Sequence, residues 1–266
     1  MGLAIDTIAG YATNPGTAGA AVTLSTGDSL TIRNFASTDF CRLVGITRVG
    51  ATEGFVEVTS PLLHDNVRGI RFTTSESPST FLMPRDVGQP LQPSDTLAVT
   101  VSGGTAEVDQ AVLQVFYSNV LGTSARLHAW ADIAGNIKNI KPLEVDSAVN
   151  GTKGTWVDTV ITTTENLLHV NSDYAVLGYV TDTALAAVGI KGQETGNLRV
   201  TGPGVTAVDD TADYFIRTSQ RHNLPMIPVF SGVNAGSVYV SAVQDGATAS
   251  AKLQLVLAEL VQPLAS

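Results

Sequence analysis

The chain has 266 residues, of which 44% are hydrophobic, 15% are charged and 6% are aromatic, and its formal net charge is −9. This length suits one large β domain or two ordinary domains. The charged fraction is well below the roughly 25% of a typical soluble domain, which indicates a surface partly covered by neighbouring subunits. Because the balance is acidic and no basic stripe occurs, we expect no direct binding to nucleic acid.

The N-terminal residues 1–20 are rich in Gly, Ala, Thr and Asn, and we interpret them as an extended arm. The segment has neither the basic region nor the apolar region of a secretory signal. Asp6 stands where a myristoylation motif requires Ser or Thr. No apolar run approaches the roughly 18 residues of a membrane-spanning helix. We therefore expect a protein that is made in a cytoplasm and has no membrane span.

Two stretches of the chain show the alternation of apolar and polar side chains that is typical of half-buried strands. In residues 21–121 it is clearest at Leu97–Val101 and Ala111–Tyr117, and in residues 155–266 it is clearest at 238–242 and 253–257. Thr, Val and Ile are abundant, and Gly-, Asp- and Pro-containing turns separate the runs. The pattern predicts an all-β fold with one sandwich in each stretch.

The two stretches also resemble each other in sequence, as an internal duplication predicts. Five segments recur in the same order at a nearly constant spacing. The matched segments are 54–61 with 196–203 (offset 142), 95–100 with 236–241 (offset 141), 113–115 with 253–255 (offset 140), 29–32 with 167–170 (offset 138), and the Met-Pro neighbourhoods 81–84 and 224–226. We therefore predict two tandem sandwiches with different loops.

Residues 122–154 read as a connector between the two copies. They carry 4 basic and 3 acidic residues, a net +1, whereas residues 1–121 and 155–266 each carry −5. Apolar residues from Leu127 to Ile137 follow helical spacing, Ser124 could cap the helix, and Gly135 could end it. The sequence predicts a short helix of two or three turns, followed by a linker at residues 138–155.

The residues that could bind a metal are scattered. His64, His128, His169 and His222 show no metal-ligand spacing, and the single cysteine, Cys41, reads as a buried small hydrophobic residue. We expect no metal and no cofactor.

The densest acidic cluster is Asp209, Asp210 and Asp213, which could supply oxygen ligands to calcium. It lacks the EF-hand spacing, and a solvated loop remains the alternative. There is no nucleophile elbow and no phosphate-binding glycine loop, so we expect no catalytic residues and no enzyme. Trp130 and Trp156 both lie near the connector, where we expect them to anchor the junction between the two copies.

Two sandwiches in tandem, an N-terminal arm, few charges and no catalytic motif together resemble the double jelly-roll capsid proteins of tailless phages. The resemblance is architectural and rests on no diagnostic motif. It implies eight-stranded jelly rolls and a homotrimer whose six jelly rolls form a pseudo-hexameric tile. At roughly 110 residues a copy, a seven-stranded immunoglobulin-like sandwich is an alternative for each unit.

This resemblance implies a virion structural protein, either a capsid tile or a component of the shell surface, made in the host cytoplasm. Its expected partners are copies of itself and other virion proteins. The alternative function is a phage receptor-binding or adhesion module. The small aromatic content, 6%, argues against a glycan-binding groove.

Overall fold

The computed structural model describes residues 2–264 except for 14–15, 17–19, 36–39, 51–52, 62–68, 75–78, 83–87, 104–107, 123–124, 148–152, 162–167, 182–184, 205–210 and 245–250. Within the described part, most residues lie in antiparallel strands, as the many β-branched residues and period-two runs predict.

In the first half of the chain, the described residues form ten strands. They are β1 Gly2–Thr13, β2 Ala21–Thr23, β3 Thr26–Gly27, β4 Phe40–Val49, β5 Gly54–Thr59, β6 Ile70–Thr74, β7 Ser79–Leu82, β8 Gln89–Leu91, β9 Ala98–Ser102 and β10 Val108–Val120. Sheet 1 has the strand order β3-β1-β10-β4-β7, with β8 also paired to β4, and sheet 2 has the order β2-β9-β5-β6. The two sheets enclose a core that contains Ile8, Leu43, Val99 and Leu113.

Besides the short 3-10 helices Gln193–Thr195 and Gly232–Ser237, the described part of the second half forms nine strands and two α-helices. They are β11 Leu127–His128, α1 Trp130–Ala134, β12 Ile137–Ser147, β13 Trp156–Val160, β14 Asp173–Thr181, β15 Leu185–Gly192, β16 Arg199–Pro203, α2 Tyr214–His222, β17 Ile227–Ser231, β18 Val238–Gln244 and β19 Ala251–Leu260. Sheet 3 has the order β11-β17-β14-β19-β12, and sheet 4 has the order β13-β18-β15-β16. Tyr179, Ile190, Val240 and Leu255 lie in the core between them.

The two sandwiches share one strand order. The path β1-β10-β4 of sheet 1 corresponds to β12-β19-β14 of sheet 3, and β2-β9-β5-β6 corresponds strand by strand to β13-β18-β15-β16. In both halves, most neighbouring strands in a sheet are distant in sequence, and the chain passes repeatedly between the two sheets, which is a jelly-roll-like arrangement. The consecutive pairs β5-β6 and β15-β16 are the exceptions in the two smaller sheets. The predicted fold class, two tandem all-β sandwiches, is confirmed.

One of the five sequence matches is wrong. It paired residues 54–61 with 196–203, but β5 occupies the position of β15 in its sheet, and β16 (Arg199–Pro203) occupies the position of β6. Short strands of Val and Thr resemble one another wherever they lie, so a local match cannot distinguish neighbouring strands of a sheet.

Most of the predicted N-terminal arm is instead a strand within sheet 1. Residues 2–13 form β1, which pairs with β10 over its whole length from Gly2 to Thr13. Small Ala and Gly side chains made this segment look like an arm, but here they allow two sheets to approach it from both faces: Ala4 and Ala9 are both at most 2% exposed.

The predicted connector contains less linker and a shorter helix than expected. Helix α1 spans Trp130–Ala134, and the side chain of Asp132 accepts a hydrogen bond from the Ala129 backbone N–H at 3.1 Å. Leu127 instead pairs with Pro228 in sheet 3, and residues 137–147 form the edge strand β12. Residues at both ends of the predicted helix therefore form strands that pair with distant parts of the chain.

Helix α2 was missed from the sequence. Its buried residues have helical spacing, but several are polar: Tyr214, Phe215, Thr218, Ser219 and His222. Because a hydrophobic periodicity search counts Thr, Ser and His as polar, this face gives no helical signal.

The cores contain many fully buried apolar side chains, and truncating one of them should measurably lower the free energy of unfolding. We expect Leu255→Ala to lower the free energy of unfolding by about 2–5 kcal/mol, because Leu255 is fully buried between sheets 3 and 4. Urea denaturation monitored by circular dichroism measures the change. The matched control, Val233→Ala, removes a side chain that is 69% exposed, and it should shift stability by less than about 0.5 kcal/mol. Equal effects of the two variants would contradict the packing described here.

Candidate assembly surface

The two sandwiches are stacked sheet against sheet, in the layer order 2-1-4-3. Sheet 1 contacts sheet 4 through β1 against β16 and through β10 against β15 and β16. A small apolar cluster at this contact joins Ala9, Val49 and Val112 of sheet 1 to Ala187 and Val243 of sheet 4. Sheet 1 is therefore buried on both faces, one against sheet 2 and one against sheet 4.

Gln114 is the polar centre of this contact. Its side-chain amide donates a hydrogen bond to the Thr201 carbonyl of β16, and its side-chain carbonyl accepts one from the Tyr214 hydroxyl at 2.7 Å. Beside it, the Thr201 backbone N–H donates to the Thr7 hydroxyl at 3.3 Å. Gln114 is 4% exposed, so these bonds form away from water and fix the register of the two sheets.

A second polar group closes the rim of the contact. The indole N–H of Trp156 donates to Asp28 of the first sandwich at 2.7 Å, and the Arg199 guanidinium lies 4.5 Å from the centre of the Trp156 ring. Arg199 and Lys191 also pair with Asp158 at 3.3 and 3.1 Å. Trp156 thus anchors the junction as predicted, whereas Trp130 packs against the core of the second sandwich.

The pKa of Asp158 reflects this setting. Partial burial alone would raise it, but the hydrogen bond from Ser241 and the charges of Arg199 and Lys191 outweigh burial and hold the pKa below its ordinary value. The carboxylate therefore stays ionised and keeps both cations in place.

The outer face of sheet 3 is bare only in part. Val180 of β14 is 45% exposed and Ile140 of β12 is 47% exposed, and between them Gln254 and Val256 of β19 are half-buried. Ala175 and Ala258 on the same face are fully buried, and the backbone of residues 211–212 lies against Gly178. In sheet 1 the corresponding face is covered by sheet 4, whereas among the described residues no second sheet covers sheet 3.

The described residues also place no second layer on the outer face of sheet 2, which is more polar. Thr59 and Thr100 are half-buried, Thr73 is exposed, and Phe55 is half-buried beneath Arg71, whose guanidinium lies 4.2 Å from the ring centre. This face corresponds to the face of sheet 4 that sheet 1 covers. The two ends of the four-layer stack thus present the same two kinds of face that meet in its middle.

Two ionic clusters hold one end of the second sandwich. Glu259, whose side chain is 2% exposed, accepts bonds from Lys138 (3.0 Å), Lys141 (3.0 Å), His169 (2.9 Å) and Ser172 (2.9 Å). Burial alone would raise its pKa, but these donors hold the pKa well below the usual range. The carboxylate ties β12, β19 and the turn before β14 together.

The second cluster lies at Arg126. Its guanidinium pairs with Asp173 and with Glu194 (3.1 Å), and donates to the Leu264 carbonyl at 2.8 Å. The Leu264 N–H in turn donates to Asp173 at 3.1 Å. Arg126 therefore fastens the C-terminal residues to the segment that enters the second sandwich.

The histidines and acidic residues do not converge. His169 lies at Glu259, His128 lies in β11, His222 is buried in α2, and His64 lies outside the described residues. Among the residues that the structure describes, no group of three or more His, Cys, Asp or Glu side chains is placed to hold a metal ion.

Of the predicted acidic cluster, only Asp213 lies among the described residues, whereas Cys41 is described in full. Asp213 pairs with Arg217 at 2.6 Å on the first turn of α2, and Asp209 and Asp210 lie outside the described residues. The Cys41 thiol is buried in β4 and donates to the Leu91 carbonyl at 3.0 Å, and burial raises its pKa to about 11. A thiol in this state is not nucleophilic.

The described residues also form a polar cavity of about 320 Å³ near the junction, lined by Asp6, Asp28, Arg33 and Arg199 together with Ser and Thr side chains. Arg33 binds Asp6 at 2.5 Å, and Asp28 already accepts bonds from Trp156 and from the Ala9 N–H. The charges are thus paired within the chain. None of the helices in the described part of the chain is long and apolar enough to span a bilayer.

Comparison with known proteins finds little. No protein-family model and no curated protein matches the chain. Among solved structures, the PBSX exported protein XepA is similar over 96% of this chain and 86% of its own, with 8% identity and a TM-score of 0.25. The major capsid protein P2 from bacteriophage PM2 is similar over 98% of both chains, with 12% identity and a TM-score of 0.23. Neither score assigns a function to this chain, whose interpretation rests on its own strand order and contacts.

The sequence of β10 indicates that sheet 1 is buried on both faces. In β10, residues from Asp109 to Tyr117 are buried without interruption, whereas β12 alternates between exposed and buried residues. Continuous burial is typical of a sheet covered on both faces. The run Ala111–Tyr117, with Gln114 as its one polar residue, therefore marked the junction.

The role of Gln114 is tested by a matched pair of variants. Gln114→Ala leaves the buried Tyr214 hydroxyl and Thr201 carbonyl without this partner, and we expect it to lower the free energy of unfolding by about 1–3 kcal/mol. Gln254→Ala, at the corresponding position on the bare face, should change it by less than about 0.5 kcal/mol. Urea denaturation of the two dilute variants makes the comparison, and a larger loss in Gln254→Ala would contradict it.

The pH dependence of stability tests Glu259. Because its pKa is depressed in the folded chain, its contribution is present above the unfolded pKa of about 4.5 and is lost as the pH falls below that value. We expect Glu259→Gln to destabilise the chain at neutral pH and to flatten the decline in stability between about pH 5 and pH 3. Thermal denaturation across this range measures it. An unchanged slope would show that the ion pairs contribute nothing.

Proposed function

We propose that this chain is a virion structural protein, a coat subunit that assembles with copies of itself by continuing the sheet-on-sheet stack found within each chain. The observation that carries the proposal is the contact between sheets 1 and 4, together with the two bare faces that correspond to it. Sheet 3 of one copy would lie on sheet 2 of the next, as sheet 1 lies on sheet 4.

Such a contact is heterologous, because two different faces meet. A heterologous contact repeated by rotation forms a closed ring if the rotation closes and a filament if it does not. Each chain supplies two sandwiches related by nearly the same step. Three chains would supply six, which makes a homotrimer with a pseudo-hexameric outline the natural closed ring, in agreement with the resemblance drawn from the sequence.

The chemistry of the bare faces supports a role in assembly. Val180, Ile140 and Val256 on sheet 3 and the Thr side chains on sheet 2 would be buried without the desolvation cost of a charge. The low charged fraction, 15%, fits a subunit that neighbours cover on several sides. Other virion proteins would contact the remaining surfaces.

Assembly is tested by the mass of the purified chain in solution and by imaging of particles. The chain should elute with three times its mass of 27.7 kDa in size-exclusion chromatography with light scattering. Val180→Glu places a charge in the proposed contact and should yield monomers, because an unpaired buried charge costs several kcal/mol. The control, Val170→Glu, changes a 62% exposed residue outside sheet 3 and should leave the trimer intact. A folded wild-type chain that stays monomeric and is absent from particles would overturn the proposal.

A further inference from the structure

Among the described residues, an ion pair lies on each of the two bare faces. On sheet 2, Arg71 of β6 pairs with Glu57 of β5 at 2.5 Å. On sheet 3, Lys252 of β19 pairs with Glu144 of β12 at 3.7 Å. The side chains of Arg71, Lys252 and Glu144 are 55%, 68% and 55% exposed, so water screens both pairs and each contributes little to the stability of its own sandwich.

Strand pairing identifies the counterparts of Glu144 in the buried contact. Leu113-Gln114-Val115 of β10 matches Leu253-Gln254-Leu255 of β19. Thr7 lies opposite Gln114 in sheet 1, and Glu144 lies opposite Gln254 in sheet 3. Glu144 on the bare face therefore corresponds to Thr7 on the covered face.

The same procedure identifies the counterpart of Arg71. Val99-Thr100 of β9 matches Val240-Ser241 of β18. From Thr100 the pairing leads across sheet 2 to Glu57 and then to Arg71. From Ser241 it leads across sheet 4 to Gly189 and then to Thr201. Arg71 therefore corresponds to Thr201.

Within the chain, Thr7 and Thr201 touch: the Thr201 N–H donates to the Thr7 hydroxyl at 3.3 Å. If the contact between copies repeats the contact within the chain, its equivalent point brings Glu144 to Arg71. A neutral hydrogen bond at one contact is thus matched by two opposite charges at the other. Their ion-pair partners have no charged equivalents in the internal contact either. Val112 corresponds to Lys252, and Gly189 corresponds to Glu57.

We propose that the two ion pairs exchange partners when copies assemble: Glu144 of one copy binds Arg71 of the next, and Lys252 takes Glu57. This inference rests on the proposed function and specifies its partner, a second copy presented by its sheet 2. Gln254 then donates to the Arg71 carbonyl, as Gln114 does to the Thr201 carbonyl.

The exchange of partners would specify which two faces meet and how their strands align. Two weak exposed pairs become two pairs shielded by the interface, where charges interact more strongly. The sheet 1 face presents Thr7 and Val112 at these positions, so it offers no charges to Arg71 and Glu57. Sheet 2 therefore discriminates sheet 3 of a neighbour from an exposed sheet 1 of a misfolded copy.

The experiment inverts each pair in place. The variant Glu57→Arg/Arg71→Glu inverts the pair on sheet 2, and Glu144→Lys/Lys252→Glu inverts the pair on sheet 3. Each keeps its ion pair within the sandwich and leaves the net charge of −9 unchanged. Thermal denaturation of the dilute monomers checks that folding is preserved.

Either inversion alone sets like charges against each other, and we expect it to weaken trimer formation at least tenfold, which corresponds to about 1.4 kcal/mol. The variant with both inversions restores complementarity and should recover the wild-type dissociation constant to within about threefold, as charge pairs measured in double-mutant cycles do. Analytical ultracentrifugation over a range of concentrations measures the constants.

The outcomes separate this inference from the proposed function. Trimers that form in the wild type and tolerate the single inversions would overturn the exchange of partners and leave the assembly role standing. A combined variant as weak as the single inversions would do the same. A wild-type chain that never assembles would overturn the proposed function and this inference with it.

Discussion

The burial of sheet 1 on both of its faces is the constraint on which the rest of the molecule depends. Strands β1 and β10 carry apolar side chains on each face, with Ile8 and Leu113 toward sheet 2 and Ala9 and Val112 toward sheet 4. A first sandwich separated from the second would expose that second face to water, at a cost of about 25 cal/mol for each Å². The two sandwiches are therefore halves of one unit, and their relative orientation is set by the fit of sheet 1 on sheet 4.

This constraint explains where the polar groups lie. A buried contact between two sheets tolerates a polar side chain only when its hydrogen-bonding groups are satisfied, and Gln114 meets that condition through Thr201 and Tyr214. Ion pairs lie at the rim of this contact, around Asp158, and at one end of the second sandwich, around Glu259 and Arg126. A further buried pair, Arg48 with Asp109, lies in the first sandwich. In each of these places a buried charge has an opposite charge beside it, as burial away from water requires.

The sheet faces that correspond to the two faces in contact between sheets 1 and 4 lie on the outside of sheets 3 and 2. In the assembly that we propose, these outer faces would meet between separate chains, where charges add specificity and orientation. The contact within the chain is held by covalent continuity, and uncharged Thr7 and Thr201 suffice there.

The sequence by itself determined the all-β class, the presence of two related halves and the short helix near residue 130. These follow from local patterns: a period of two marks a strand's faces wherever the strand pairs. It misread residues 2–13 as an arm, because the small side chains of β1 are buried on both faces and give no clear alternation. It misread residues 137–147 as a linker, because the mixed side chains of the edge strand β12 give none either. Helix α2 was hidden because Thr218, Ser219 and His222 lie on its buried face.

Only the tertiary structure decided which strands are neighbours and that sheet 1 packs on sheet 4. It also decided that Glu144 corresponds to Thr7 and that Arg71 corresponds to Thr201. The partners of β10 lie about a hundred residues away for β1 and some seventy away for β4, and a strand's own sequence is nearly indifferent to which partner it pairs with. Pairing, register and the choice of covered face are properties of the whole chain, because they depend on side chains that meet only after the fold has formed.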